Sequence, residues 1–282
     1  MRVWVPYLFL LPSIALLLVT TGLPIAQAVA YSFAEYDLVS PLQWRGWSNY
    51  GRLWGDRAFW QTLGTTMQLT LWIVPPLVLL PLGLAILVNR ARGLMTLWRA
   101  IYYVPVLVSV VVAAIAWKWV YSESGLLNRL LGTSLPWLTD QRWVLPAIAV
   151  VVIWRGLGYY MTIYLAGLQS IPAELYEAAA LDGVTGWERH WWITLPLMRP
   201  YMVLVLTVSA IASMKIFEEV YLLTQGGPAN SSKTVVYYLF EKGFTELDMG
   251  YASAMGVVLM GVILGLTLGL YQLGRERSPH PK

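Results

Sequence analysis

Lys215, Glu218 and Glu219 fall inside an otherwise apolar run, in the stretch SMKIFEEVYLLT. On a continuous helix, separations of three and four residues put both carboxylates on the lysine's face. Ionisable groups inside such a run mark a functional position by default. They could relay protons across a membrane or form an internal ion pair beside a polar cavity, and the residues alone leave both open. Arg155 lies in another apolar run, within WRGLGYYM, Trp154 to Met161. There Gly156 and Gly158 are expected to break helix regularity, and Tyr159 offers a ring face and a hydroxyl, a pair that suits a sugar. A third group sits in AELYEAAALDGVTGWERHWWITLPLMRP, Ala173 to Pro200, with Glu174, Glu177, Asp182, Glu188, Arg189 and Arg199. Carboxylates bordering an alanine-rich helical face suit insertion into a groove on another protein. A solvated loop with ordinary caps is the plainer reading.

Other chemistries are excluded. There is no cysteine, and the only histidines are His190 and His280, so neither a thiolate site nor a histidine metal cluster can be built. A phosphate-binding loop needs G-x-x-x-x-G-K-[ST]. Only Lys233-Thr234 has the final pair, and Ser232 stands before it instead of glycine. The chain therefore cannot hydrolyse ATP by that route.

The elements that position these groups are membrane helices. Only 12% of the 282 residues are charged, 58% are hydrophobic, and mean hydropathy is +0.60. Soluble domains carry about 25% charged residues. The net charge of +4 reflects cytoplasmic loops and not a nucleic-acid partner. Fifteen tryptophans and seventeen tyrosines fit anchoring at the lipid interface. A spanning helix needs about 20 apolar residues. Six segments qualify, at residues 7–31, 61–88, 100–121, 144–168, 201–224 and 252–272. The expected fold is an all-α, polytopic membrane protein of six transmembrane helices, forming a single membrane domain over residues 1–282. Arg2 and Ala26-Gln27-Ala28 resemble the ends of a signal peptide, but the apolar run is longer than the ~7–15 residues of such a segment, so a retained first helix is expected.

Arg90, Arg92 and Arg99, with no acid among them, place the loop at residues 89–99 in the cytoplasm, together with the tail carrying Arg275, Arg277 and Lys282. Both termini are then cytoplasmic, and so is the polar segment at about 170–199. Ile171-Pro172 suits a helix start. Residues 173–181 are good helix formers, and Gly183 suits a left-handed stop. Thr185 and Glu188 read as a capping box opening a second short helix, which Leu195-Pro196 would end.

This segment resembles the EAA signature of permease subunits of ATP-binding-cassette importers. Glu177-Ala178-Ala179 is followed by three residues, Gly183, nine residues, and Ile193-Thr194-Leu195-Pro196, each at the family's spacing. The likeness extends through PYLFLLPSIALLL at Pro6, WSNYGRLWGDRAFWQTLGTT at Trp47, WKWVYSESGLLN at Trp117, LAGLQSIPAELYEAA at Leu165, YLLTQGGPANSSKT at Tyr221 and GFTELDMGYASAMG at Gly243. Together they are similar to the maltose and glycerol-phosphate importer permeases. More narrowly they resemble the first of the two paired permeases, whose fifth span leads into T-x-G-G-P, here Thr224 to Pro228.

The resemblance implies the type I importer permease fold in a bacterial or archaeal cytoplasmic (inner) membrane. It implies a coupling helix at Ala173 to Leu181 that docks in a cleft of an ATPase subunit through Glu177, Ala178, Ala179, Asp182 and Gly183. Glu177 would pair with a basic residue there. It implies a substrate cavity at Gly156, Tyr159, Ser209, Ala212, Ser213 and Ile216, with Tyr103 a weaker match. Small residues at such positions also serve helix packing. Where the maltose permease has polar residues this chain has Val152 and Ile216, which argues for a different sugar. The implied partners are a second permease, two ATPase subunits that bind the ATP, an extracytoplasmic solute-binding protein and a sugar or related polyol. A proton-coupled carrier using Lys215, Glu218 and Glu219, and a membrane scaffold that uses the loop only for docking, are the competing classes.

Overall fold

A computed structural model describes residues 5–89 and 93–275. Arg2, Arg90, Arg92, Arg277, His280 and Lys282 lie outside them. Five described helices are long and apolar enough to cross a membrane: Phe9–Tyr31 (span one), Arg57–Val88 (span two), Val144–Gln169 (span four), His190–Met214 (span five) and Met249–Gln272 (span six). Span three is a broken pair, Met95–Leu107 and Val110–Val120, bent by 98°.

The continuous third helix expected at residues 100–121 is thus corrected. Ser109 takes an extended ψ of 144° and its Oγ accepts a hydrogen bond from Val112 N, so a new helix is capped in mid-run. The loop expected at residues 89–99 is also shorter, because a helix starts at Gly93. Arg99 lies inside that helix. Its guanidinium donates to the carbonyls of Val88 and Asn89 at 2.7–3.2 Å, closing the C-terminal end of span two.

The chain forms two compact units, residues 1–61 with 235–262, and residues 62–234 with 263–282. In the first, a short antiparallel hairpin pairs Ala34–Glu35 with Gln43–Trp44, and the helix Ser48–Gly55 follows. Its buried residues include Ala34, Phe59, Val235, Tyr251, Ala254 and Met255. Asp56 starts span two. Its Oδ1 accepts from Ala58 N and Phe59 N, and its Oδ2 accepts from the hydroxyls of Tyr238 at 2.9 Å and Tyr251 at 2.6 Å. Burial pushes the Asp56 carboxyl up. The hydrogen bonds from Tyr251, Tyr238, Phe59 and Ala58 more than offset that and leave its pKa below the usual 3.8.

In the second unit the core centres on span four, where Val144, Ile148, Val151, Met161 and Tyr164 are buried, together with Leu69 and Ile73 of span two and Met198, Val205 and Met214 of span five. Tyr164 donates its hydroxyl to Val78 O at 3.0 Å, so its polar end is satisfied inside apolar packing. Span four is helical throughout Val144–Gln169, so Gly156 and Gly158 do not break it. A Cβ at Gly158 would lie 2.4 Å from Tyr102 O and 2.8 Å from Tyr103 Cα. This glycine lets the first half of span three pack backbone to backbone against span four, as small residues do between membrane helices.

Span five differs most from the sequence reading. It passes through a π-helical turn at His190–Thr194 and continues through Pro196 and Pro200 to Met214. Pro196 follows directly on the π-helical turn inside one continuous helix, so it is not a break. Glu188 is the first helical residue after the turn at Gly186-Trp187, not the third, so the expected capping box does not cap this helix. The span ends ten residues before Thr224. Lys215 to Phe217 leave the helix, and Glu218–Leu223 is a separate short helix with two carboxylates in its favourable first turn. The Ile216 carbonyl freed by the break accepts from Thr234 Oγ1 at 2.9 Å.

Candidate substrate cavity and docking helix

A cavity of about 400 Å³ opens where span five breaks. Span four supplies Val152, Arg155, Gly156, Tyr159 and Tyr160, span five supplies Ser209, Ala212 and Ser213, and the broken segment supplies Lys215 to Glu219. Leu77 of span two closes one wall. Six of the seven residues expected at a substrate site meet here: Gly156, Tyr159, Ser209, Ala212, Ser213 and Ile216. Tyr103 is not among the lining residues; it sits at the packing contact opposite Gly158.

The individual side chains fill different roles. Tyr159 is 45% exposed and presents its ring. Ser209 and Ser213 are buried, and their hydroxyls donate to the carbonyls of Leu206 and Ser209 within the helix. Their oxygens keep acceptor capacity, but their protons are committed. A Cβ at Gly156 would lie 2.9 Å from the Leu77 side chain, so the missing side chain here widens the cavity floor and relieves that contact together.

The charges are paired differently from the sequence expectation. The helical break at Lys215 removes the shared face on which that lysine would have met Glu218 and Glu219. Glu219 instead accepts from Arg155 Nη1 at 2.6 Å, with side chains 13% and 25% exposed. The relay geometry of a proton-coupled carrier is therefore not formed on this helix. Both residues carried a visible signal, a charge in an apolar run. Their partnership did not, because it joins positions 64 residues apart.

The polar loop carries a second feature. Its first helix is Ala173–Leu181, as expected. It ends in a Schellman motif: Gly183 has φ +83°, its N–H donates to Ala180 O, and Val184 N–H donates to Ala179 O at 2.9 Å. Glu177, Ala178 and Asp182 are exposed, Ala179 is half-buried, and no residue of the helix is buried. Leu181 is 90% exposed. Tyr176 hydrogen-bonds Thr194 between hydroxyls at 3.1 Å, and His190 Nδ1 meets the same Thr194 hydroxyl at 3.1 Å.

The chain matches the family described as "Binding-protein-dependent transport system inner membrane component" over residues 50–273. It is 32% identical to the lactose transport system permease protein LacF of Rhizobium radiobacter, covering 96% of this chain and 94% of that protein. It is 33% identical to the sulfoquinovosyl glycerol transport system permease protein SmoG of Agrobacterium fabrum (strain C58 / ATCC 33970), over 96% and 90%. Among solved structures it is similar to a chain of a bacterial ABC transporter involved in the import of the acidic polysaccharide alginate. The TM-score is 0.82 at 25% identity, covering 98% of this chain and 97% of that one. With the broken spans, the cavity and the exposed loop helix in place, the chain belongs to the binding-protein-dependent transport system inner membrane component family and is a multi-pass permease subunit of an ABC importer.

Proposed function

We propose that this permease translocates a sugar or related polyol handed over by an extracytoplasmic solute-binding protein, beside a second, similar permease. Two separate ATPase subunits bind and hydrolyse the ATP, and the chain itself carries no cofactor. Both termini and the loop at about 170–199 face the cytoplasm. The substrate passes Gly156, Tyr159, Ser209, Ala212, Ser213 and Ile216; Tyr103 acts through packing. The names of similar permeases for lactose, sulfoquinovosyl glycerol and arabinooligosaccharides support the substrate class.

The observation that carries this reading is the helix Ala173–Leu181. A nine-residue helix is too short to be stable alone in water. This one buries no side chain of its own and leaves Leu175 and Leu181 exposed. A docking cleft on an ATPase subunit would cover it, with Glu177 facing a basic residue and Ala178, Ala179, Asp182 and Gly183 permitting close approach.

The experiment is to identify the ligand that purifies with the binding protein and to measure its uptake into vesicles holding the complete complex. Uptake that needs ATP and ignores a proton uncoupler supports the reading. Uptake abolished by the uncoupler would return the carrier class, and undiminished uptake in cells lacking the chain would leave only a scaffold.

A further inference from the structure

The charged side chains lining the cavity are Arg155, Lys215, Glu218 and Glu219, two positive and two negative, so its formal charge is zero. Only one close pair forms among them, Arg155 Nη1 with Glu219 Oε1. Lys215 and Glu218 are exposed. The pair is not saturated. Arg155 Nε is buried without a hydrogen-bond partner, and a guanidinium carries five N–H donors. The Glu219 carboxylate likewise holds more lone pairs than one bond uses. The Arg155 and Glu219 side chains line the cavity at 25% and 13% exposure, and it is their accessible atoms that a ligand there can meet.

We infer that the Arg155–Glu219 pair is the specificity-determining element of this cavity and that its ligand is an uncharged polyhydroxy compound, whose adjacent hydroxyls accept from Arg155 and donate to Glu219. This rests on the sugar reading proposed above and narrows it. A hydroxyl is donor and acceptor at once, so two neighbouring hydroxyls complement a fixed donor beside a fixed acceptor. The Tyr159 ring supplies the apolar face that the carbon skeleton of a sugar needs. An acidic sugar is rejected because no net positive charge repays the removal of its carboxylate or sulfonate from water.

The test reads the cavity's potential directly. The native chain has no cysteine, so Ala212→Cys places a single thiol of this subunit on the cavity wall. The complete transporter is purified in detergent with its partners. Modification of this subunit by a cationic and by an anionic methanethiosulfonate reagent is followed by intact mass. The ratio of the two rates is expected to match that of a free thiol. Adding Glu219→Gln is expected to shift the ratio toward the anionic reagent, and Arg155→Gln toward the cationic one, each by about tenfold. The double variant Arg155→Gln with Glu219→Gln is expected to restore the balance, and it keeps the test open if a single variant fails to fold. A tenfold preference for the anionic reagent in the unsubstituted cavity, or modification by neither reagent, overturns the inference.

In vesicles of the same complex, ATP-driven uptake is compared for lactose, raffinose and arabinotriose against digalacturonate and sulfoquinovose. Uptake of the neutral sugars alone supports the inference, and uptake of an acidic one at an equal rate overturns it. Uptake of none overturns the ligand together with the sugar reading, and the reagent ratio separates that outcome from a failure of charge balance.

Discussion

The hydroxyls of Tyr176 and Thr194 meet at 3.1 Å, joining the exposed helix of the polar loop to the foot of span five. Thr194 is 1% exposed, and its hydroxyl is also in contact with His190 Nδ1 at 3.1 Å. The Arg189 guanidinium lies over the Tyr176 ring at 5.2 Å. This contact ties Tyr176 to the span that carries Ser209, Ala212 and Ser213.

Thr194→Val keeps the shape and removes the shared partner of Tyr176 and His190. Losing a part-buried hydrogen bond of this kind costs about 0.5–1.5 kcal/mol. The expected outcome is an assembled complex whose transport per ATP hydrolysed falls several-fold, with Tyr176→Phe milder in the same direction. Uptake and ATPase activity measured on the same vesicles check it; an unchanged ratio in Thr194→Val would show that this contact transmits nothing.

Asp56 gives a pH-dependent prediction. Its folded pKa lies below 3.8, so its contribution to stability is fully present above that value and is lost as pH falls through the lower folded value. Asp56→Ala removes the acceptor of both tyrosine hydroxyls and of two N–H groups at the start of span two. It is expected to lower stability by about 1–3 kcal/mol near neutral pH and to flatten the acid limb. Thermal unfolding in detergent across pH checks both effects.

The long uniform segments were legible because hydropathy reports them. Spans two and four fall within a few residues of their expected limits, and the loop helix Ala173–Leu181 matches to the residue, since Pro172 and Gly183 punctuate it. The breaks were not legible. Span three bends at a serine inside an unbroken apolar run, and the local signal, Ser109 as a cap, is one residue wide. Span five ends at Lys215 although helical spacing from Lys215 to Glu219 invites continuation, and Glu219 pairs with Arg155 of span four instead of with the lysine. The site residues were named by resemblance, while the ion pair beside them is a tertiary event that no local pattern encodes.

The proposed orientation can be checked with thiol labelling, since the chain has no cysteine. Asn89→Cys, between spans two and three, is expected to resist an impermeant reagent in intact cells and to react once the membrane is opened. Ser40→Cys, in the exposed loop after span one, is expected to react without opening it. The reverse pattern would invert the topology.

Tyr159→Ala removes the one large ring that is substantially exposed on span four's wall of the cavity. Transport is expected to fall by tenfold or more, the effect of losing about 1.4 kcal/mol or more of ligand contact. Stimulation of ATPase activity by the binding protein is expected to persist. Ser213→Ala is expected to have a smaller effect, because its proton is already donated to Ser209 O. Unchanged rate and selectivity in both variants, alone and combined, would move the substrate path elsewhere.

The central claim is that Ala173–Leu181 is the element through which ATPase subunits drive this permease. Glu177→Lys tests it most directly, because Glu177 is exposed and its replacement is expected to leave the fold of this chain intact. Reversing one partner of a charge pair buried on docking costs about 3–5 kcal/mol. The variant is therefore expected to insert normally, to lose co-purification with the ATPase subunit or its stimulation by the binding protein, and to stop ATP-driven uptake. Full co-purification with normal coupled uptake in Glu177→Lys would contradict the account.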